Sequence, residues 1–184
     1  MKNNLIICCS PVTDSCSNKI KNGLMEILTK RNENVEVRDL YALKFDPIIT
    51  ENDISSAFQG NYSDDIKIEQ EYIRNADKII LIFPIYSSSM PALMKGYIDR
   101  VLSQNFAYSY NKDGSMNKLM TGKTLSTFSP MGATVEYYEK SGIKSAMDSI
   151  FSITFVFRGF EVLGINYFGS DNGEEMLSEL EQLI

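Results

Sequence analysis

The 184-residue chain contains no histidine and no tryptophan. Without an imidazole, the Ser-His and Cys-His pairs that activate most side-chain nucleophiles are excluded. Cysteine is scarce too: there are three, Cys8 and Cys9 adjacent, Cys16 apart, and no C-x-x-C. That excludes the usual structural zinc sites, and no metal is expected. Cys8 and Cys9 end an apolar run and read as small core residues. Cations are outnumbered, 18 Lys and Arg against 24 Asp and Glu, for a formal charge of -6. A chain so poor in positive charge offers no stripe for nucleic-acid phosphates. No apolar run approaches the ~20 residues that span a bilayer. The N-terminal run LIICC (5–9) is shorter than the ~7–15 residues of a signal-peptide core, so a cytoplasmic protein is expected. Neither G-x-G-x-x-G nor a P-loop follows that run, which disfavours a nucleoside triphosphate or a standard Rossmann dinucleotide.

What is present is an alternation of two hydrophobic periods. LIICC is apolar throughout, as in a strand covered on both faces. Ile20, Leu24, Ile27 and Leu28 follow at helical spacing, then a shorter, more exposed strand at VEV (35–37). Ile68, Tyr72, Ile73 and Ala76 return to helical spacing before a second buried strand, IILIF (79–83). Leu93, Tyr97, Ile98 and Val101 make a helix that Pro91 can start. KTLSTFS (123–129) reads as strand. A long stripe from Ile143 to Phe155 reads as helix closed by Gly159, and EVLGINYF (161–168) as the last strand. An acidic surface helix, frayed or short, is expected over 173–184. Glu69, Glu71, Glu136 and Glu139 read as solvated helix faces, and the scattered methionines as core filler.

Strand and helix in alternation define a doubly wound parallel sheet. The expectation is one α/β domain over 1–184, with five strands in the order 2-1-3-4-5 and helices on both faces. In such a sheet ligands bind outside the carboxyl ends of the strands, where strand order reverses, between the first and third strands. The loops at that point are SPVTDSCSN (10–18) and PIYSSSMPA (84–92), the two richest in hydroxyls. Ser10, Thr13, Ser15 and Ser17 lead into a helix N-terminus, which suits a phosphate. The same residues also suit plain capping of that helix. Both readings stand at this point.

FPIYSSSMPALMKGYIDRV (83–101), followed by FAYSY (106–110), resembles the flavodoxin-fold NAD(P)H:quinone oxidoreductase family. DLYALKFDPIIT (39–50) and DIKIEQEYIRNADKIILIFP (65–84) are similar to that family as well, so the resemblance runs from the first strand to about residue 170. It implies a flavodoxin-like fold and homodimeric enzymes. These hold FMN or FAD, take hydride from NAD(P)H and reduce quinones or related small acceptors. FMN is expected ahead of FAD, since little chain follows the last strand from which to build an adenine pocket.

By the same resemblance Ser10, Cys16 and Ser17 meet the flavin phosphate, with Ser10 in place of a histidine and Cys16 in place of an aromatic residue. Pro84, Ile85, Tyr86, Ser87 and Ser88 run along the ring edge, in a loop where the family usually carries tryptophan. Ser129, Pro130, Met131 and Gly132 fall where a Thr-Thr-Gly-Gly turn cradles the pyrimidine end. Tyr137 takes the place of the family's catalytic tyrosine, without its histidine partner. Its plainer reading is a half-exposed helix residue. Tyr108 and Tyr110 project to one side of an extended segment, placed beside the carboxyl end of the third strand, and wall the acceptor slot. Interface or core packing is their plainer reading. Phe106, Tyr108, Tyr110 and Met116 together form an aromatic surface that a second copy would cover. A flavodoxin-like electron carrier, a regulatory subunit of an ion-efflux system, and a flavin-free binding module are the competing roles.

Overall fold

A computed structural model describes residues 1–171 and 175–184. Strand β1 (Asn3–Cys8) sits inside a parallel sheet between β2 (Asn34–Asp39) and β3 (Lys78–Ile82), and β6 (Thr124–Pro130) and β7 (Glu161–Phe168) extend it beyond β3. The order β2-β1-β3-β6-β7 is the expected 2-1-3-4-5. Register explains the continuous apolar runs. In β1, Leu5, Ile7 and Cys9 point into one core, while Ile6 and Cys8 point into the other. Successive strand residues face opposite sides, so a strand covered on both sides is apolar almost throughout in β1 and β3, whereas β6 buries Ser126, Thr127 and Ser129 as well.

The first core is closed by α3 (Asp64–Asn75), α4 (Ala92–Val101) and α6 (Ile143–Val156). The second is closed by α1 (Cys16–Lys30) and α7 (Glu175–Leu183). The expected start of the terminal helix at 173 lies outside the described residues. The described part is not a frayed surface helix: Met176 and Leu180 are buried, and Arg31 donates to the carbonyls of Glu181 and Ile184. Glu179 and Glu181 are exposed, while the buried face with Met176 and Leu180 docks on α1.

Two stretches without clear periodicity turn out to be structured. Residues 41–65 contain α2 (Glu51–Phe58), whose start is a capping box: Thr50 Oγ accepts from the Asp53 N–H, and Asp53 accepts from the Thr50 N–H. Residues 103–121 contain a separate two-stranded hairpin, β4 (Tyr108–Tyr110) and β5 (Met116–Lys118). A short α5 (Val135–Lys140) precedes α6.

The block from 91 to 101 is held by packing. Pro91 is the N-cap of α4. A Cβ at Gly96 would lie 2.2 Å from the carbonyl oxygen of Pro47, so only glycine lets the 41–50 loop cross the helix there. Arg100 bonds both oxygens of Asp53, pairs with Asp65 and donates to the Asp46 carbonyl. Glu69 departs from the sequence reading: it is buried, bonded by Arg38 and by the Tyr97 hydroxyl. An amphipathic pattern cannot reveal that an acidic residue has a buried partner from another strand.

Candidate functional site

The carboxyl ends of β1, β3 and β6 stand side by side. Backbone hydrogen bonds continue past the strands themselves: Cys9 N–H to Ile82 O (2.9 Å), Phe83 N–H to Phe128 O (3.3 Å), Ile85 N–H to Pro130 O (2.8 Å) and Met131 N–H to Phe168 O (2.8 Å). This ladder brings three loops to one edge: the one opening at Ser10, the one from Pro84 to Ser88, and the one from Ser129 to Gly132. β1 reverses the strand order there, and the crevice lies between the first two loops.

The first loop is built around Ser15. Its hydroxyl caps α1 by accepting from the Asn18 N–H (3.3 Å), and it shares a hydrogen bond with Ser10 Oγ (2.8 Å). The Asn18 amide donates to Val12 O (2.8 Å) and closes the loop. Ser15 is thus the cap. Cys16 is the first helical residue and is exposed; Ser17 is buried. The remaining N–H groups of that first turn have no acceptor within the helix and sit at its positive end.

The second loop carries the most unusual backbone. Tyr86 and Ser89 exchange both hydrogen bonds (2.9 and 3.0 Å), and between them Ser87 and Ser88 have φ of 48° and 60°. Two left-handed residues in succession make a type I′ turn, normally the province of Gly and Asn. Each serine there costs on the order of 1 kcal/mol. Both are exposed, so core packing does not impose the conformation. Their N–H groups lie at the tip, outside the turn's own bonds. Pro84 is half-buried and Ile85 buried, anchoring the loop.

In the third loop, Ser129 is fully buried at the end of β6, and its hydroxyl has no partner among the described residues. Met131 is buried and Pro130 half-buried; Gly132 is exposed, and a Cβ there would meet no atom within 4 Å. Tyr137 lies on α5, capped by Thr134 immediately after this loop, and is 58% exposed with its ring against Tyr138.

A cleft of about 320 Å³ continues from Ser10 toward β2, lined among others by Thr13, Asn18, Lys21, Asp39 and Tyr41. Burial pushes the Tyr41 phenol up, and Cys9 and Tyr86 nearby add to it. Lys21, Asp39 and Tyr41 were not legible as site residues; only the pairing of Leu40 N–H with Cys8 O brings the β2 end to the crevice. Burial also pushes the thiols of Cys8 and Cys9 up, to about 12 and about 11, so neither is a thiolate at neutral pH. They are core residues.

Tyr108 and Tyr110 stand apart from these loops. Met120 N–H bonds Arg158 O (3.0 Å) just before β6 and β7 begin, and Leu119 N–H bonds Ala107 O (3.1 Å). The hairpin therefore sits beside the amino ends of β6 and β7, not beside the carboxyl end of β3, because α4 carries the chain back across the sheet. The tyrosine rings do share one side, 5.8 Å apart, and Tyr108 packs on Phe157 at 4.9 Å. The expected aromatic surface is smaller than anticipated. Phe106 is buried within the chain and Tyr108 is half-buried, while Tyr110 is exposed.

A five-stranded parallel sheet of this order, with hydroxyl- and amide-rich loops at its reversal point, defines an α/β protein of the doubly wound type. The sequence pattern of the flavodoxin-like fold family matches residues 2–183, and the chain belongs to that family. An uncharacterized NAD(P)H oxidoreductase of Haemophilus influenzae is 34% identical over 169 residues, covering 91% of this chain and 83% of the relative. The human ribosyldihydronicotinamide dehydrogenase [quinone] is 31% identical over 185 residues, covering 86% and 78%. Among solved structures, the NAD(P)H:quinone oxidoreductase of Methanothermobacter marburgensis superposes with a TM-score of 0.84 at 25% identity, covering 98% and 96%. An FMN-dependent NADH-azoreductase of Bacillus anthracis, in complex with FMN, shares the fold at a TM-score of 0.71 and 18% identity, covering 99% and 95%.

Proposed function

We propose that this chain is a flavin-dependent oxidoreductase that passes hydride from NAD(P)H to quinones or related small acceptors, with FMN in the crevice between the 10–18 and 84–88 loops. The relatives' names support the reaction class. The observation that carries the site is the third loop: a buried, unpartnered Ser129 hydroxyl beside a glycine with open space above it. An orphaned buried hydroxyl is costly unless a ligand meets it. A flat ring laid along 129–132 supplies an acceptor for it and fills that space.

The bound flavin supplies the hydride chemistry; the protein's part is placement and electrostatics. The first turn of α1, with Ser10, Cys16 and Ser17 at its mouth, holds the phosphate by backbone N–H groups and helix charge. The left-handed turn at Ser87 and Ser88, next to Tyr86, presents backbone donors to the ring edge at a conformational cost that a purely structural turn has no reason to carry. Ser129 and the 130–132 backbone meet the pyrimidine end. Tyr137, exposed and close to that loop, donates a hydrogen bond to oxygen as charge develops there, and solvent completes the proton transfer.

Tyr108 and Tyr110 wall the acceptor slot of a second copy, since their own chain places them at the other end of the sheet. A homodimer is therefore part of the proposal. Exposed Ile150 and Ile153 on α6 (56% and 63%) give such an interface apolar area.

The test is a titration of the purified protein against FMN and FAD, followed by flavin fluorescence, then NADH and NADPH oxidation with a naphthoquinone. Quenching by one flavin at micromolar protein and quinone-dependent turnover are expected. A colourless protein that leaves both flavins' fluorescence unchanged is the flavin-free binding module instead.

A further inference from the structure

At the end of the sheet away from the crevice, a groove of about 240 Å³ runs between α2 and the connection that leaves α4. One wall is apolar and open to water: Ile54 is 49% exposed and Phe58 63%. Tyr108 forms part of the opposite wall, and Arg158 lines the same groove. The acidic residues on these walls are already engaged. Asp99 is bonded through both oxygens by Lys95 (2.6 and 2.7 Å), and Asp53 by Arg100 (both 3.2 Å).

Arg158 is different. Arg38, Arg74 and Arg100 each face a carboxylate, and Arg31 spends both Nη groups on the Ile184 and Glu181 oxygens, whereas Arg158 has no ion pair among the described residues and one Nη to spare. Its Nε donates to Leu102 O (3.1 Å), one Nη donates to Thr154 O, and the other Nη has no partner among the described residues. Its guanidinium lies 5.8 Å from the Tyr108 ring centre and 4.7 Å from that of Phe157. Burial lowers its affinity for the proton, with Tyr108 and Asp99 acting the other way. It remains a cation at neutral pH.

A half-buried guanidinium with a spare donor, no ion pair, and only Asp99, already held by Lys95, as a nearby counter-charge is a poor arrangement in isolation. It is a good one for an anion, because charge-assisted bonds are about twice as strong as neutral ones. We propose that this groove binds a small amphipathic anion, an aromatic or aliphatic body along Ile54, Phe58 and Tyr108 with one carboxylate or sulfonate on Arg158. The site is separate from the flavin crevice, and its binding does not depend on turnover. Its occupant is either an acidic acceptor reaching the tyrosine wall or a non-reacting effector.

The probe is 2-naphthalenesulfonate, with the neutral 2-naphthalenesulfonamide as its partner, titrated calorimetrically into the flavin-loaded and flavin-free protein. Saturable binding of the sulfonate is expected in both forms, tighter than the sulfonamide by about 10-fold or more. Arg158→Met should erase that preference and Arg158→Lys should restore part of it. Because Arg158 also ties Leu102 to Thr154, the independent variant is Ile54→Glu, which changes an exposed side chain and puts a carboxylate in the groove; it should abolish sulfonate binding. Equal affinity for the two probes, or sulfonate binding unaffected by Ile54→Glu, overturns the proposal, as does no binding at all. If the sulfonate competes with a naphthoquinone sulfonate in turnover, the occupant is an acceptor. If it alters turnover without competing, the occupant is an effector.

Discussion

Tyr137 bears the largest mechanistic question at the scale of single residues. The chain has no histidine to protonate a reduced acceptor, and a phenol is a weak acid at neutral pH. It can still hydrogen-bond to a developing oxyanion. One neutral hydrogen bond contributes about 1 kcal/mol, so Tyr137→Phe should slow acceptor reduction by roughly 10-fold or less. Stopped-flow on the two half-reactions measures this. Complete loss of turnover with flavin still bound would make Tyr137 the obligatory acid. Gly132 gives a complementary test. Its φ is not in the left-handed region and its Cβ direction is open, so Gly132→Ala should leave folding stability unchanged or raise it by up to ~1 kcal/mol. A methyl pushed against a bound ring costs about 1–3 kcal/mol, so flavin affinity should fall by about 10-fold or more. Thermal denaturation and flavin titration separate the two effects. Unchanged affinity would mean that the ring does not lie along this loop. Tyr108→Ala and Tyr110→Ala should weaken acceptor binding and leave flavin occupancy intact. If both variants bind acceptors of every size normally, these tyrosines are interface residues alone.

Helix α4 shows which parts of the elements could be read in the sequence. Its apolar stripe at Leu93, Tyr97, Ile98 and Val101 was plain, and so was Pro91 at its start. The reason for Gly96 was not, because it lies in a loop crossing from nearly fifty residues away. Gly96→Ala gains up to ~1 kcal/mol of helix propensity. The methyl, however, would sit 2.2 Å from the Pro47 carbonyl. Displacing that loop costs about 1–3 kcal/mol or more, so a net fall in Tm of several degrees is expected by calorimetry. No change would mean that the 45–48 segment is free to move. The same blindness hid the Glu69 partners and the hairpin's position: period fixes which face of an element is buried, not which distant chain covers it. β1 and β3 were legible because strands buried on both faces read as continuous apolar runs, β2 by its alternation, and the sheet order from the succession of strand and helix. The site loops were legible as hydroxyl-rich, but Ser15 as the cap and the left-handed pair at Ser87 and Ser88 emerge only from backbone geometry.

A pH response belongs to α2. Burial alone would raise the Asp53 carboxyl, but bonds from Arg100 and Thr50 outweigh it and hold it below its ordinary value. A carboxyl held low by folding stabilises the native state above the unfolded value, and that contribution is lost as pH falls through the folded one. Amide exchange protection over residues 51–58 should therefore decline between about pH 5 and pH 3. Asp53→Asn should flatten that dependence and lower protection at neutral pH. A decline of the same size in the variant would assign it to other carboxyls.

For the whole molecule, the proposed acceptor slot makes quaternary structure a matter of function, because the tyrosine hairpin is separated from the crevice of its own chain. Light scattering should give a dimer at working concentrations. A monomer with full activity would rule out an acceptor slot shared between copies.

The hairpin also divides the labour of the protein in a way that bears on its history. The crevice stands on strand ends locked in register by five strands and two cores, so its backbone frame cannot shift without disturbing the sheet, while the side chains of its loops are open to exchange. The tyrosines ride on two three-residue strands paired with each other and joined by the exposed turn 111–115, outside the main sheet. Insertions and exchanges in that turn leave every strand of the main sheet untouched. In the proposed enzyme, the seat of the cofactor can therefore stay fixed across descendants of such a chain while the choice of acceptor drifts.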